Sequence, residues 1–411
     1  MSENQKLKNF SIISIALFLA VLILPTAIWV VGKLLPGKPI NVFQFDLGEN
    51  RVQAQFPTEY SSTLGLDLEA FYNDRLPFRS VLITANRGLT AASEKPYDNI
   101  ISPFLVKTFY SKPSEDGSVA IDYMPPKVHN NLTIQGRDGW LFLAVEGALD
   151  DYLGTNILSE EEMEEYLTRM VKLQEICMAQ GKELYFIIPP NKAQVYPEKM
   201  PSYTIENDYR RVEQLVDYIR ANSDIKIAYP LEEMIESKEL MQLYFKTDTH
   251  WNEAGAFIGV QALYSLMGMP TTDLESLSYY QKDFNEGDLI PMGNLNREDF
   301  PADINFEIEY RPEVGVTALD DGQAGDPIYK TVSNSTNECN FCIIGDSYRA
   351  FMSKYIMKDF SHYYQLYTKF FSEPGNREIV RDADIIVVEC VERFNSTLLE
   401  TLDTLCDYLE Q

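Results

Sequence analysis

A chain of 411 residues, 45% hydrophobic and 12% aromatic, has ample material for a buried core and is long enough for two or three domains, which excludes a disordered protein. With 62 acidic against 35 basic residues its net charge is -27, so the surface repels phosphate backbones and anionic headgroups and nucleic acid is excluded as a partner. Cys177, Cys339, Cys342, Cys390 and Cys406 are odd in number, so an exported chain keeps at least one thiol unpaired or paired between chains.

Residues 10–31, FSIISIALFLAVLILPTAIWVV, carry no charge. At ~1.5 Å per helical residue they reach across a bilayer core of ~30 Å, which predicts a transmembrane signal anchor in contact with lipid. Lys6 and Lys8 place residues 1–9 in the cytoplasm and everything after residue 32 outside, although Lys33 and Lys38 weaken the asymmetry. A cleaved signal peptide would have a shorter apolar run and a small-x-small site, and WVVGKLLPGKP offers none. Residues 32–135 read as a linker followed by a helical and loop-rich region: Pro, Gly and Asn dominate 32–60, 61–92 has helical spacing around FYNDRLPFRS, and 93–135 is rich in turn formers.

The main domain, 136–411, opens with the alternating GRDGWLFL. In SEEEMEEYLTRMVKLQEICMAQG, Ser159 and Glu162 form a capping-box pattern and Gly181 stands where a helix stops. Then come ELYFIIPP as a strand, DYRRVEQLVDYIRAN as a helix, IKIAYP as a strand and NEAGAFIGVQALYSLMG as a helix. Residues 271–335, rich in Gly, Asp and Asn, read as an insertion with short strands such as INFEIEYR. CNFCIIGDS is a buried strand, YRAFMSKYIMKDF a helix, HYYQLYTKFF an alternating strand, ADIIVVECV a buried strand and NSTLLETLDTLCDYLEQ a closing helix. This alternation predicts an α/β fold whose parallel sheet is covered by helices on both faces. The C-x-x-C of Cys339 and Cys342 falls in a strand rather than at a helix start, so it reads as small buried residues and not as a redox pair.

Two stretches carry chemistry. KTDTHWN, 246–252, sets Asp248 two residues before His250, one of only three histidines, so that the carboxylate can orient the imidazole and fix its tautomer. CIIGDSYR puts Ser347 at the carboxyl end of a strand and the start of a helix, where functional groups of open sheets collect. Gly345 permits the tight turn, Asp346 completes Gly-Asp-Ser, and first-turn N–H groups can receive an oxyanion. Gly-Asp-Ser alone would read as a turn and helix cap; its expected convergence with Asp248 and His250 on one rim of the sheet is what points to a nucleophile. The other histidines, His129 and His362, lie at no ligand spacing, so no metal is expected. Trp251 reads as a core anchor behind His250 rather than a sugar platform.

Six ordered motifs, DRLPFR, GRDGWLFL, PPNKAQVYPEKMP, TDTHWN, GDS and IIVVECVERF, resemble the SGNH-like acetyltransferase domain of the AlgJ and AlgX alginate O-acetylation proteins and of the proteins named for a DHHW motif. That family places Asp-x-His before the serine, as here. The resemblance implies an SGNH-hydrolase-like fold, Ser347 as nucleophile, His250 as general base and Asp248 as its orienting partner. Thr249 stands where DHHW members have histidine. Lys192, Tyr196, Glu392 and Arg393 resemble positions that line or support the cleft, each equally open to a packing or surface role. The implied activity is transfer of acetyl to hydroxyls of a cell-surface polysaccharide, with no cofactor and with a membrane-bound acyltransferase (MBOAT-type) as donor partner. A polysaccharide acetyl esterase and a non-catalytic binding or assembly protein are the alternatives.

Overall fold

The structure, a computed structural model, describes residues 124–319, 328–371 and 375–410. The stretch 10–31, the helical reading of 61–92 and its DRLPFR motif lie outside these residues. Among the described residues no helix is long and apolar enough to cross a membrane.

Three short strands come first, β1 (Val128–His129), β2 (Thr133–Gln135) and β3 (Leu141–Leu143), paired antiparallel. Pairing therefore begins before residue 136, in a stretch whose strands are too short to show a period. Helix α1 (Glu160–Ala179) starts with the expected capping box, in which Glu162 N donates to Ser159 Oγ and Ser159 N to the Glu162 carboxylate. Beyond it Gly181 adopts φ +70°. The chain continues through β4 (Glu183–Ile187), α2 (Arg211–Asn222), β5 (Ile227–Ala228) and α3 (Glu253–Met267). Asn252 caps α3 by accepting from Ala254 N and Gly255 N at 3.0 and 3.1 Å. The region 271–335 holds an antiparallel strand pair, β6 (Tyr279–Phe284) with β7 (Asp303–Ile308), and then β8 (Val316–Ala318) and β9 (Ile328–Ser333). β10 (Asn340–Gly345), α4 (Arg349–Asp359), β11 (His362–Tyr367), β12 (Ile385–Glu389) and α5 (Asn395–Glu410) complete it.

The main sheet has the order β5-β4-β12-β10-β11-β9-β8. Its first five strands are parallel, but β9 runs antiparallel to β11 and β8 antiparallel to β9. The sheet is thus mixed, where sequence alternation alone suggested parallel throughout. The reason is connectivity: residues 319–327 separate β8 from β9, fewer than the roughly a dozen that a parallel crossover takes, so these two strands pair antiparallel.

Side chains alternate across the buried strands and divide the core into two layers. Tyr185, Ile187, Phe341, Ile343 and Val387 pack with α3 and α4 residues such as Phe257, Met352 and Tyr355. Leu184, Phe186, Cys342, Ile344, Ile386 and Val388 face α1, α2 and α5 through Leu173, Leu215 and Leu402. Cys177, Cys339, Cys342 and Cys406 are free thiols, and Cys342 lies buried within β10.

Candidate active site

KTDTHWN is a tight excursion closed at its base by a bridge between Tyr244 and Trp251. Trp251 is fully buried and donates its Nε1–H to Tyr348 O at 3.1 Å, so it anchors the excursion to the residue after Ser347. A Cβ on Gly259 would come within 2.8 Å of its indole, and that glycine is what makes room for the ring. This is the core role read for Trp251.

The geometry brings Asp248, His250 and Ser347 together. Asp248 Oδ1 lies 2.7 Å from His250 Nδ1, and Ser347 Oγ lies 2.6 Å from His250 Nε2. A carboxylate only accepts, so Nδ1 donates to Asp248 and Nε2 is left to accept from the serine hydroxyl. Asp248 is held from two more sides: His250 N donates to Oδ1 at 2.9 Å and Asp288 N to Oδ2 at 3.0 Å. Burial alone would raise its pKa, but the hydrogen bonds and charge of His250 and the Asp288 N–H outweigh it and hold Asp248 below the ordinary value. It is therefore a carboxylate at neutral pH. His250 and Ser347 are both half-buried, with Tyr348 and Phe351 rings against the imidazole at 5.0 and 5.8 Å.

Gly345 ends β10 at a point where a Cβ would sit 2.2 Å from Glu389 Oε2, so the turn needs glycine for space. Asp346 braces the turn by accepting from Tyr348 N at 2.9 Å and from Val391 N at 2.7 Å. Lys192 is buried and donates to the carbonyls of Phe245, Lys246 and Asp248 at 2.9, 3.1 and 2.7 Å, while burial pushes it down to about 8. Tyr196 Oη accepts from Leu243 N at 2.9 Å. These two side chains hold the backbone of 243–248 from below.

Arg393 Nη1 donates to Asn191 Oδ1 at 3.2 Å and to Tyr348 Oη at 3.5 Å, and Tyr348 Oη donates onward to Thr249 O at 2.6 Å. Glu392 accepts from Asn191 N at 2.7 Å and Gln194 Nε2 at 3.1 Å. Both therefore serve the buried network behind the site. Burial, then the neighbouring Asp151 carboxylate, pushes Glu392 up to about 8. A carboxyl whose folded pKa is raised contributes stability below its unfolded pKa and loses it as pH rises through the folded value. Wild-type protein should thus melt progressively lower from pH 5 to pH 8, and Glu392→Gln should flatten that decline in a thermal-melting series; an identical slope in both proteins would show that Glu392 stays ionised.

Sequence reasoning missed Asp288, which approaches from the insertion and accepts from Thr249 N at 2.7 Å and Thr249 Oγ1 at 2.6 Å. It also missed Asp303, whose Oδ2 accepts from Thr247 N at 2.7 Å. Neither has a local signature beyond lying in an Asp-rich segment. Asp248, His250 and Asp288 are the described residues whose potential ligand atoms fall within 4.8 Å of one another, and all three are engaged in the hydrogen bonds above. Beside Asp346 a cleft of about 370 Å³ opens between Tyr367, Thr368, Lys369, Thr397 and Glu400; neither Ser347 nor His250 lines it.

The family described as SGNH hydrolase-like domain, acetyltransferase AlgX matches residues 133–307, a span that includes Asp248, His250 and Asp288 and ends before Ser347. The probable alginate O-acetylase AlgJ of Pseudomonas putida is 26% identical over 231 residues, covering 53% of this chain and 54% of the relative. The chain thus spans about half the length of the curated relative it matches. Among solved structures, a DHHW family protein from Eubacterium siraeum has a TM-score of 0.50 at 13% identity, covering 68% of this chain and 97% of that one, a likeness of fold alone. PatB1 of Bacillus cereus has a TM-score of 0.48 at 18% identity, over 63% of this chain and 95% of that one. Over residues 133–307, which hold GRDGWLFL, PPNKAQVYPEKMP and TDTHWN, this chain is therefore similar to the SGNH hydrolase-like acetyltransferase domain of the AlgX family, with AlgJ as a relative.

Proposed function

We propose that the protein is a membrane-anchored, extracytoplasmic O-acetyltransferase that acetylates hydroxyls of a cell-surface polysaccharide. The observation that carries the reading is the continuous relay from Asp248 through His250 to Ser347, with contacts of 2.7 and 2.6 Å. Ser347 Oγ attacks the donor's acetyl carbonyl while Nε2 takes its proton, and the resulting imidazolium gives that proton to the departing donor group. The acetyl group is now an ester on Ser347. A sugar hydroxyl then attacks it, Nε2 accepts the sugar proton, and the proton returns to Oγ as the serine ester breaks. Asp248 stays ionised throughout and stabilises the imidazolium. The backbone N–H of Ser347 serves as a donor to the oxyanion in both halves. Residues 10–31 supply the anchor, and a membrane-bound acyltransferase (MBOAT-type) delivers acetyl across the bilayer.

Mass spectrometry of the surface polysaccharide, with and without this protein, tests the reading through the sign of the change. Loss of O-acetyl groups in the deletion strain, restored by the wild-type gene and not by Ser347→Ala, is the expected result. Increased acetylation on deletion would make the protein an acetyl esterase using the same relay. Restoration by Ser347→Ala would leave it a binding or assembly protein.

A further inference from the structure

The insertion is stitched to the Asp-Thr-His element along its backbone. Leu289 N donates to Thr247 O at 3.1 Å, and Asp288 N donates to Asp248 Oδ2 at 3.0 Å. The approach is so close that a Cβ on Gly287 would lie 2.3 Å from Thr247 Oγ1 and 2.4 Å from Thr247 O, which leaves glycine as the residue that fits. The Asp288 carboxylate then closes on Thr249, one oxygen on its N–H at 2.7 Å and the other on its hydroxyl at 2.6 Å, with Oδ2 standing 3.9 Å from His250 Nδ1. The Asp248 carboxylate is free to rotate about its terminal bond unless both oxygens are pinned. Oδ1 is fixed by His250 and Oδ2 by the Asp288 N–H, so the second pin depends on where the 287–289 segment is held.

We propose that Asp288 is a positioning residue for His250: by clamping Thr249 it holds its own backbone N–H against Asp248, so that Asp248 keeps the imidazole proton on Nδ1 and Nε2 turned toward Ser347. This rests on the reading of Asp248, His250 and Ser347 as the reacting set, yet it concerns the state of an imidazole and is observable without turnover. The charged groups facing the element are Asp248 and His250 on its own turn, Asp288 and Asp303 from the insertion, and Lys192 from beneath, with Arg393 behind Tyr348. Asp288→Asn retains an acceptor for Thr249 N and an amide that can donate to Thr249 Oγ1, so the clamp survives the loss of charge. Asp288→Ala abolishes the clamp. Thr249→Val removes one of its two bonds with almost no change of shape.

The experiment is ¹⁵N spectroscopy of the full chain with labelled histidine, where three histidines make assignment simple and the His250→Ala spectrum identifies the signal. In wild type and Asp288→Asn the neutral ring should carry its proton on Nδ1. In Asp288→Ala it should be a mixture of tautomers, with acylation of Ser347 by a small acetyl ester slowed about 10²-fold, the scale of a 1 Å misplacement. Thr249→Val should show a smaller admixture. An Nδ1–H tautomer undiminished in Asp288→Ala overturns the proposal, and if that variant does not fold, the same result in Thr249→Val overturns it. Wild-type protein that shows the Nδ1–H tautomer but never acylates Ser347 would count against the transferase reading and leave the tautomer comparison to decide the role of Asp288.

Discussion

Ser347→Ala should abolish turnover of a small acetyl ester, a loss on the order of 10⁶-fold, while the melting temperature stays close to wild type. The reasoning separates chemistry from stability. Ser347 is half-buried and its hydroxyl hydrogen-bonds to His250 Nε2, whereas the turn that carries it is held by Asp346, Tyr348 and Val391 through groups that alanine leaves untouched. No other hydroxyl is placed on Nε2 among the described contacts, so a neighbouring group has no position from which to substitute. Intact-mass measurement after brief exposure to the ester should find one acetyl adduct on wild type and none on the variant. Turnover by pure Ser347→Ala at anything near the wild-type rate would remove Ser347 from the mechanism and leave Gly-Asp-Ser as a turn with a helix cap.

The second large effect is expected at Asp248. In Asp248→Asn three donors, His250 N, His250 Nδ1–H and Asp288 N, face a side chain with a single accepting oxygen. If that oxygen turns to Asp288, the amide group donates to Nδ1, the ring proton moves to Nε2, and the serine loses its acceptor. If it turns to His250, an N–H of the amide opposes the N–H of Asp288, and a buried donor left unsatisfied costs about 1–3 kcal/mol. Either way acetyl-Ser347 formation at neutral pH should drop about 10⁴-fold, with partial recovery as pH rises, while His250→Ala shows no such recovery. Rapid-quench measurement of the acetyl adduct across pH reads both. A neutral-pH rate for Asp248→Asn equal to wild type would reduce the Asp248 carboxylate to a local hydrogen-bonding group of the turn.

The parts of this molecule that could be read from the chain are those whose cause is local. Ser159 with Glu162, Gly181 behind α1 and the apolar runs of β4, β10 and β12 each act within a few residues, and the rim position of Ser347 follows from strand alternation alone. Of the site's two loops, GDS is a short connection at the end of β10, whereas KTDTHWN follows no strand and is shaped by the Tyr244–Trp251 bridge and by partners distant in sequence. What escaped is set by contacts between distant segments. The alternating runs of 271–335 announced strands but not partners, so the antiparallel edge of the sheet could not be foreseen. Asp288 is joined to Thr249 and Asp248 over separations of 39 and 40 residues, which no spacing rule encodes. Lys192 and Tyr196 were open between surface, packing and cleft because a lysine declares its burial only through its partners, here three carbonyls of the excursion.

The relay joins positions 97 residues apart, and its outer carboxylate is completed by a segment 40 residues further along the chain. Closing loops of that size is an entropic cost met only when the sheet between them has formed. A nascent or partly unfolded chain therefore owns a serine but no base beside it, and its hydroxyl has ordinary alcohol reactivity. On the proposed reading of Ser347 as nucleophile, covalent capture at that residue would count finished molecules. In a refolding time course the rate at which a serine-directed probe becomes able to react would report the last step of assembly, separately from the earlier recovery of helical signal.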